Sequence, residues 1–233
     1  MDIKGKTVII TGITGKLTSQ IAFHLAAKGA NCICIYHKNV EKTWIVHKKL
    51  LNITQKVFFL EADLTKHYFV GKIFRKIKDL PGIPAPEVLI NAAAVFDKKK
   101  FGDIREVYIA KTFAVNFSAS FAMIQKFAKL VGRRKAKIIN ITDAIVEKYQ
   151  PGFVVYSASK AALENATKIL AKELASNITV NAVSPGIIHW PKKIDVRPPV
   201  NLPADTIANV GKVLQAVDFI IENDAVTGRI ITT

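Results

Sequence analysis

Short, almost unbroken apolar runs alternate with longer segments of helical periodicity from one end of the chain to the other. The runs are Thr7–Ile10, Asn31–Tyr36, Lys56–Glu61, Glu87–Asn91, Lys137–Thr142, Thr179–Val183 and Arg229–Ile231. Most are rich in Val, Ile or Phe, and several lack polar alternation, as strands covered on both faces do. The helical patterns fall at about Ser19–Lys28, Val40–Leu51, His67–Leu80, Glu106–Val131, Phe153–Ala175 and Ala204–Glu222. Strand–helix alternation with short connections predicts right-handed crossovers and a doubly wound parallel α/β sheet of seven strands. No composition break or solenoid repeat divides the chain, so residues 1–233 read as one domain. The Pro-rich stretch Trp190–Pro203 is the one long irregular segment, and residues 187–203 are expected to form a loop covering a substrate.

Half of the 233 residues are hydrophobic and 22% are charged, enough for a sizeable core. No apolar run approaches the roughly 18 residues of a membrane span, so no membrane association is expected. The start MDIKGKTVIITG lacks the pattern of an export leader, which predicts a cytoplasmic protein. Lys and Arg total 34 against 18 Asp and Glu, a net charge of +16. These cations are spread from Lys4 to Arg229 and are mostly Lys, which points to a solvated surface and an anionic ligand rather than to nucleic acid. Cys32 and Cys34 lie two apart in an apolar run and read as small core residues, not as a disulfide or a metal site.

Candidate chemistry gathers at the carboxyl ends of the expected strands. The first strand runs into Thr11-Gly12-Ile13-Thr14-Gly15-Lys16-Leu17 and then a helix, where small residues let a pyrophosphate approach the backbone and the helix N-terminus. The same glycines would also suit a plain tight turn. The second strand ends in Tyr36-His37-Lys38-Asn39, without the acid that an NAD site uses for the ribose 2′-hydroxyl, and so favours the 2′-phosphate of NADP. Asp63-Leu64 and Asn91-Ala92-Ala93 end the third and fourth strands, where small side chains admit a flat cofactor. Tyr156 and Lys160 share one helical face at i, i+4, and an ammonium there is expected to draw the phenol pKa down from about 10 toward the working range.

With these residues the chain resembles the short-chain dehydrogenase/reductases over essentially its whole length, with the Rossmann-type fold and NADP(H) chemistry that this implies. Thr11–Gly15 stands as the glycine motif, and Asn91-Ala92-Ala93 replaces the family's Asn-Asn-Ala-Gly. Asn116 matches a helix Asn that holds a proton-relay water. Tyr156 and Lys160 match the catalytic pair, and Ser184-Pro185-Gly186 matches the turn after the sixth strand, with Ile188 just beyond it on the cofactor. The resemblance implies a homodimer or homotetramer. A wide apolar face expected on Phe153–Ala175 (Ala158, Ala161, Ala162, Leu163, Ala166, Ile169, Leu170) agrees with association.

The departures carry the specificity. Lys16 and Thr18 replace two glycines, and Lys16 suits a cofactor phosphate. The Asp-Gly-Gly ending is missing. The family's catalytic Ser, 13 residues before the Tyr, is here Asp143. A carboxylate cannot donate to a ketone oxygen unless protonated, but it can accept from the N–H groups of a nitrogen heterocycle. Asp143, with Tyr36-His37-Lys38, resembles the pteridine reductases and dihydromonapterin reductases. In those enzymes an aromatic at the position of Phe96 sandwiches the pterin; a hydrophobic plug is the plainer reading of that residue. The expected activity is NADPH-dependent reduction of a C=N bond in a pterin-like small molecule, with Asp143, Tyr156, Lys160 and Asn116 as catalytic residues. The alternatives are a carbonyl or enoyl reductase of the same family, or a catalytically silent NADP-binding sensor or nucleic-acid-associated protein.

Overall fold

The computed structural model describes residues 1–54, 56–66, 68–186 and 209–233. Seven parallel strands form one sheet in the order β3-β2-β1-β4-β5-β6-β7: β1 Thr7–Thr11, β2 Asn31–Tyr36, β3 Val57–Glu61, β4 Val88–Asn91, β5 Ala136–Ile141, β6 Ile178–Ser184 and β7 Ile230–Thr232. The order reverses between β1 and β4, which opens a crevice beyond their carboxyl ends. The central strands are buried on both faces, as their unbroken Val and Ile runs require.

Successive strand residues feed two hydrophobic layers. Val8 and Ile10 pack with α1 (Lys16–Ala27), α2 (Val40–Leu51) and α8 (Val210–Glu222) through Ile21, Leu25, Leu50 and Val217. Ile9 and Ile33 face the other way, toward α3 (Tyr68–Lys78), α5 (Ser120–Val131) and α7 (Val154–Glu173), where Ile73, Phe127 and Leu170 close the second layer. Cys32 and Cys34 are free and fully buried. The long irregular segment 187–203, with Ile188, lies outside the described residues.

Several expectations are corrected. α1 begins at Lys16, three residues before the expected Ser19, because Gly15 serves as a cap that has no side chain. The expected single helix Glu106–Val131 is α4 (Glu106–Phe113), a π-helical segment (Ala114–Ala119) and α5. This stretch is also long and apolar enough, by length and composition, to cross a membrane, contrary to the expectation that no such run exists. In the fold its inner face sends Met123, Ile124, Phe127 and Val131 into the core. The α7 face is not uniformly free: Leu163 and Leu170 are buried, and only Ala158 and Ile169 of the named residues are exposed. Two short helical pieces were not anticipated, a 3-10 turn at Phe101–Asp103 and α6 (Ile145–Lys148), the second directly after Asp143.

Candidate active site

Two cavities meet at the carboxyl ends of the strands, and Gly15, Ala92 and Ala94 line both. The larger, about 1010 Å³, runs from Gly12 and Thr14 past His37, Lys38 and Asn39 to Asp63, Leu64 and Ala93. The smaller, about 400 Å³, is bounded by Lys16, Leu17, Phe96, Asp143, Tyr156, Lys160, Pro185 and Gly186.

Backbone builds the larger cavity. Gly12 has φ +73°, and a Cβ there would lie 2.7 Å from the Ala93 Cα. The glycine therefore permits close contact between two strand ends, a role the motif alone did not reveal. Thr11 lines neither cavity: its Oγ1 accepts from the Ala92 and Ala93 amides at 2.9 and 3.1 Å and clamps β4 to β1. The N-terminus of α1 has no side-chain cap, so its first amides remain available to an anion.

At the end of β2, Asn39 accepts from the Lys42 amide at 3.1 Å and caps α2. His37 Nε2 lies 3.7 Å from Asp63 Oδ2, so the rim sets the Asp63 carboxylate, expected at this site, beside His37 and Lys38. The Thr65 hydroxyl, 2.6 Å from Asp63, is the main reason its carboxyl is held below the usual range.

Side chains build the smaller cavity. Tyr156 Oη donates to Asp143 Oδ2 at 2.8 Å, and the Ile145 amide donates to Asp143 Oδ1 at 2.9 Å. Burial pushes the Asp143 carboxyl up, against the pull of that amide, the phenol and Lys160. Lys160 is buried and donates to the Ile141 carbonyl at 2.8 Å; burial lowers its pKa to about 8. Burial first and the Asp143 carboxylate second drive the Tyr156 phenol well above its ordinary value. The expected lowering by Lys160 is thus reversed: burial, and after it the nearby Asp143 charge, keep the proton on the phenol. Asp143 and Tyr156 share one hydrogen bond whose proton sits on the phenol, with the carboxylate as its acceptor.

The walls are aromatic. Phe96 stacks on Phe153 with centroids 4.9 Å apart and meets Tyr156 edge-on at 4.6 Å, so it both lines the cavity and packs as a plug. Asn116 and Asn91 line neither cavity. Asn116 bonds both backbone groups of Val95 (2.8 and 3.1 Å) and the Ser159 hydroxyl (2.9 Å), tying the end of β4 to the helix carrying Tyr156. Its side-chain groups are used within the protein rather than aimed at the cavity. Asn91 donates to Asn140 Oδ1, and Asn140 donates to Thr167 Oγ1, each at 2.9 Å, a buried ladder from β4 through β5 to α7. Asn140 and Ser159 were missed by motif reading, although the polar Asn140 inside an apolar run was a visible signal. Among the described residues, no cluster of His, Cys, Asp and Glu could hold a metal.

A seven-stranded doubly wound sheet with a Tyr–Lys pair at its carboxyl edge defines a class of oxidoreductase fold. The family described as short chain dehydrogenase matches residues 6–201, and the chain belongs to that family. A 3-oxoacyl-[acyl-carrier-protein] reductase FabG from Aquifex aeolicus is 32% identical over 194 residues, covering 81% of this chain and 77% of the relative. A short chain dehydrogenase from Burkholderia cenocepacia in complex with NADP superposes with TM-score 0.86 at 26% identity, covering 100% of this chain and 97% of the other. The FolM alternative dihydrofolate reductase 1 from Brucella canis, complexed with NADP, superposes with TM-score 0.83 at 24% identity, covering 100% and 93%; at that identity it shows the fold alone.

Proposed function

We propose that this chain is an NADPH-dependent reductase of a pterin-like heterocycle, of the dihydropterin, dihydromonapterin or dihydrofolate class. One observation carries the reading: Asp143, bonded to Tyr156 at 2.8 Å, occupies the position where a ketoreductase of the family has a serine. Each Asp143 oxygen already accepts one bond from the protein and retains a lone pair for the N–H edge of a heterocycle. Phe96 supplies a flat apolar wall for the ring.

The cofactor fits its proposed site. The uncapped α1 terminus and Gly15 leave room for a pyrophosphate, with Lys16 beside it, and His37 and Lys38 offer charge to a 2′-phosphate. NADPH supplies the hydride when bound. The chain's own residues hold the proton on the Asp143–Tyr156 pair, and the Lys160 charge stabilises the anion left after transfer. The capping segment 187–203 belongs to the proposal, as do a cytosolic setting and assembly into a homodimer or homotetramer.

Asp143→Asn keeps the shape but puts a donor where acceptors are needed. It should lower kcat/KM on a dihydropterin by about 5- to 150-fold. Asp143→Ser should also lose that activity while gaining some on a ketoester. A second reading, a 3-oxoacyl or other carbonyl reductase, is favoured by the 32% identity to the Aquifex enzyme. It requires that Asp143→Ser improve ketoester turnover and that neither parent nor variant reduce pterins. A parent inactive on dihydropterins, dihydrofolate, quinones and ketoesters alike would leave the sensor reading.

A further inference from the structure

The face of α7 that carries Tyr156 and Lys160 continues one turn further to Glu164, at i, i+4 and i+8. Lys160 is 2% exposed and makes no ion pair among the described residues; its ammonium donates to the Ile141 carbonyl. A buried ammonium held by one carbonyl needs negative charge nearby to stay protonated. Among the described residues, Asp143 lines the same cavity as Lys160 and Glu164 stands one turn along the same face of α7, and both carboxylates favour the charged ammonium. Asp143 is half of the proton-holding pair, so its charge changes as the reaction proceeds. Glu164 touches neither cavity and so stands outside the proton transfer; burial pushes its carboxyl up, against the pull of the Thr142 and Ser184 hydroxyls.

Glu164 is also held in place. The Ser184 hydroxyl at the end of β6 donates to its Oε1 at 3.3 Å, and the Thr142 hydroxyl just past β5, which donates to the Val183 carbonyl at 3.3 Å, lies beside it. Both hydroxyl-bearing residues are buried. We propose that Glu164 is a positioning residue of the proton-transfer machinery, its fixed carboxylate keeping the Lys160 ammonium charged while Asp143 gains and loses its proton. The other charged groups around the pair are Glu147 of α6, which opposes the Glu164 charge, and Lys168, one turn further along α7. Lys16 and Lys148 line the same cavity as Lys160.

The inference rests on Lys160 serving the reaction, but its test needs no substrate and so is independent of the pterin reading. In protein labelled with ¹³Cε-lysine, the Lys160 resonance is assigned by its loss in Lys160→Met and titrated against pH. The parent should titrate near pH 8. Glu164→Gln should move that midpoint downward by about 0.5–1 pH unit, roughly 3- to 10-fold weaker proton binding. Glu164→Asp keeps the charge and should stay nearer to the parent than Glu164→Gln does. An unchanged or raised midpoint in Glu164→Gln, or an equal fall in both variants, would overturn the proposal. Glu164 is half-buried at the edge of α7, and the isosteric Gln keeps its shape; thermal melts identify any variant that does not fold, and Glu164→Asp then carries the test alone. In that event a midpoint displaced by more than about 0.5 pH unit, despite the retained charge, would count against the proposal.

Discussion

At the ends of β1, β2 and β4, an open cleft of about 1010 Å³ is floored by backbone, glycines and alanines, and its charges stand at a solvated rim. At the ends of β5 and β6, a cavity of about 400 Å³ is walled by Asp143, Tyr156 and Lys160, with the phenol and ammonium almost fully buried. The first region offers a ligand shape and free amides that cost little to keep ready. The second holds Asp143, Tyr156 and Lys160 away from water, which displaces the proton affinity of each. Recognition here is built from what side chains leave out, and chemistry from side chains that burial has perturbed.

The largest effect should come from the second region. Tyr156→Phe removes the phenol that carries the shared proton and should lower turnover by about 10²–10⁴ while NADPH binding, followed by fluorescence, stays nearly intact. Retained turnover would mean that Asp143 alone delivers the proton. Next comes the first region: Gly12→Ala forces a Cβ against the Ala93 backbone at positive φ, and should cost about 2–4 kcal/mol in a denaturant melt. A neutral result would show that the two strand ends can separate freely.

A third test returns to the buried lysine. Lys160 has a folded pKa of about 8 against an ordinary 10.5, so across that window the unfolded chain binds more protons. Folding stability from this group therefore rises with pH between about 8 and 10.5. The stability of the parent relative to Lys160→Met should rise by about 2–3 kcal/mol over that range, with contributions from Cys32 and Cys34 cancelling between the two proteins. The smallest effect is at the exposed rim. His37→Ala with Lys38→Ala should reduce an NADPH preference of at least about tenfold over NADH, about 1.4 kcal/mol, to near parity. Equal affinities in the parent would show that the Asp63 carboxylate cancels the rim cations.

The strands were legible because burial on both faces leaves uninterrupted Val and Ile runs, and the Tyr156–Lys160 spacing was legible because four residues make one helical turn. Other features left no such trace. The start of α1 is set by Gly15, which caps without a side chain and so without a recognisable residue. The contact of Gly12 with Ala93 joins strands far apart in sequence. The upward Tyr156 shift comes first from burial of the phenol and then from Asp143 lying 2.8 Å away, and no spacing rule supplies either. Motif reading named Asn116 and Asn91 but not what they do, because their partners Val95, Ser159 and Asn140 come from separate elements.

The wide turn at Ala114–Ala119 makes the helix between β4 and β5 two helices in different phase. Each residue of an α-helix advances the azimuth by about 100°, and a π segment absorbs one extra residue without breaking the rod. Upstream of it, α4 buries only Thr112; within it, Asn116 reaches Val95 and Ser159; downstream, Met123 and Phe127 reach the sheet. A single codon lost from this stretch would therefore turn it into regular α-helix and leave the apolar stripe of α5 in place, yet it would swing Asn116 by up to about 100° away from Val95 and Ser159. Point substitutions in the same turn leave that phase untouched, so the segment should accept changes of residue far more readily than changes of length.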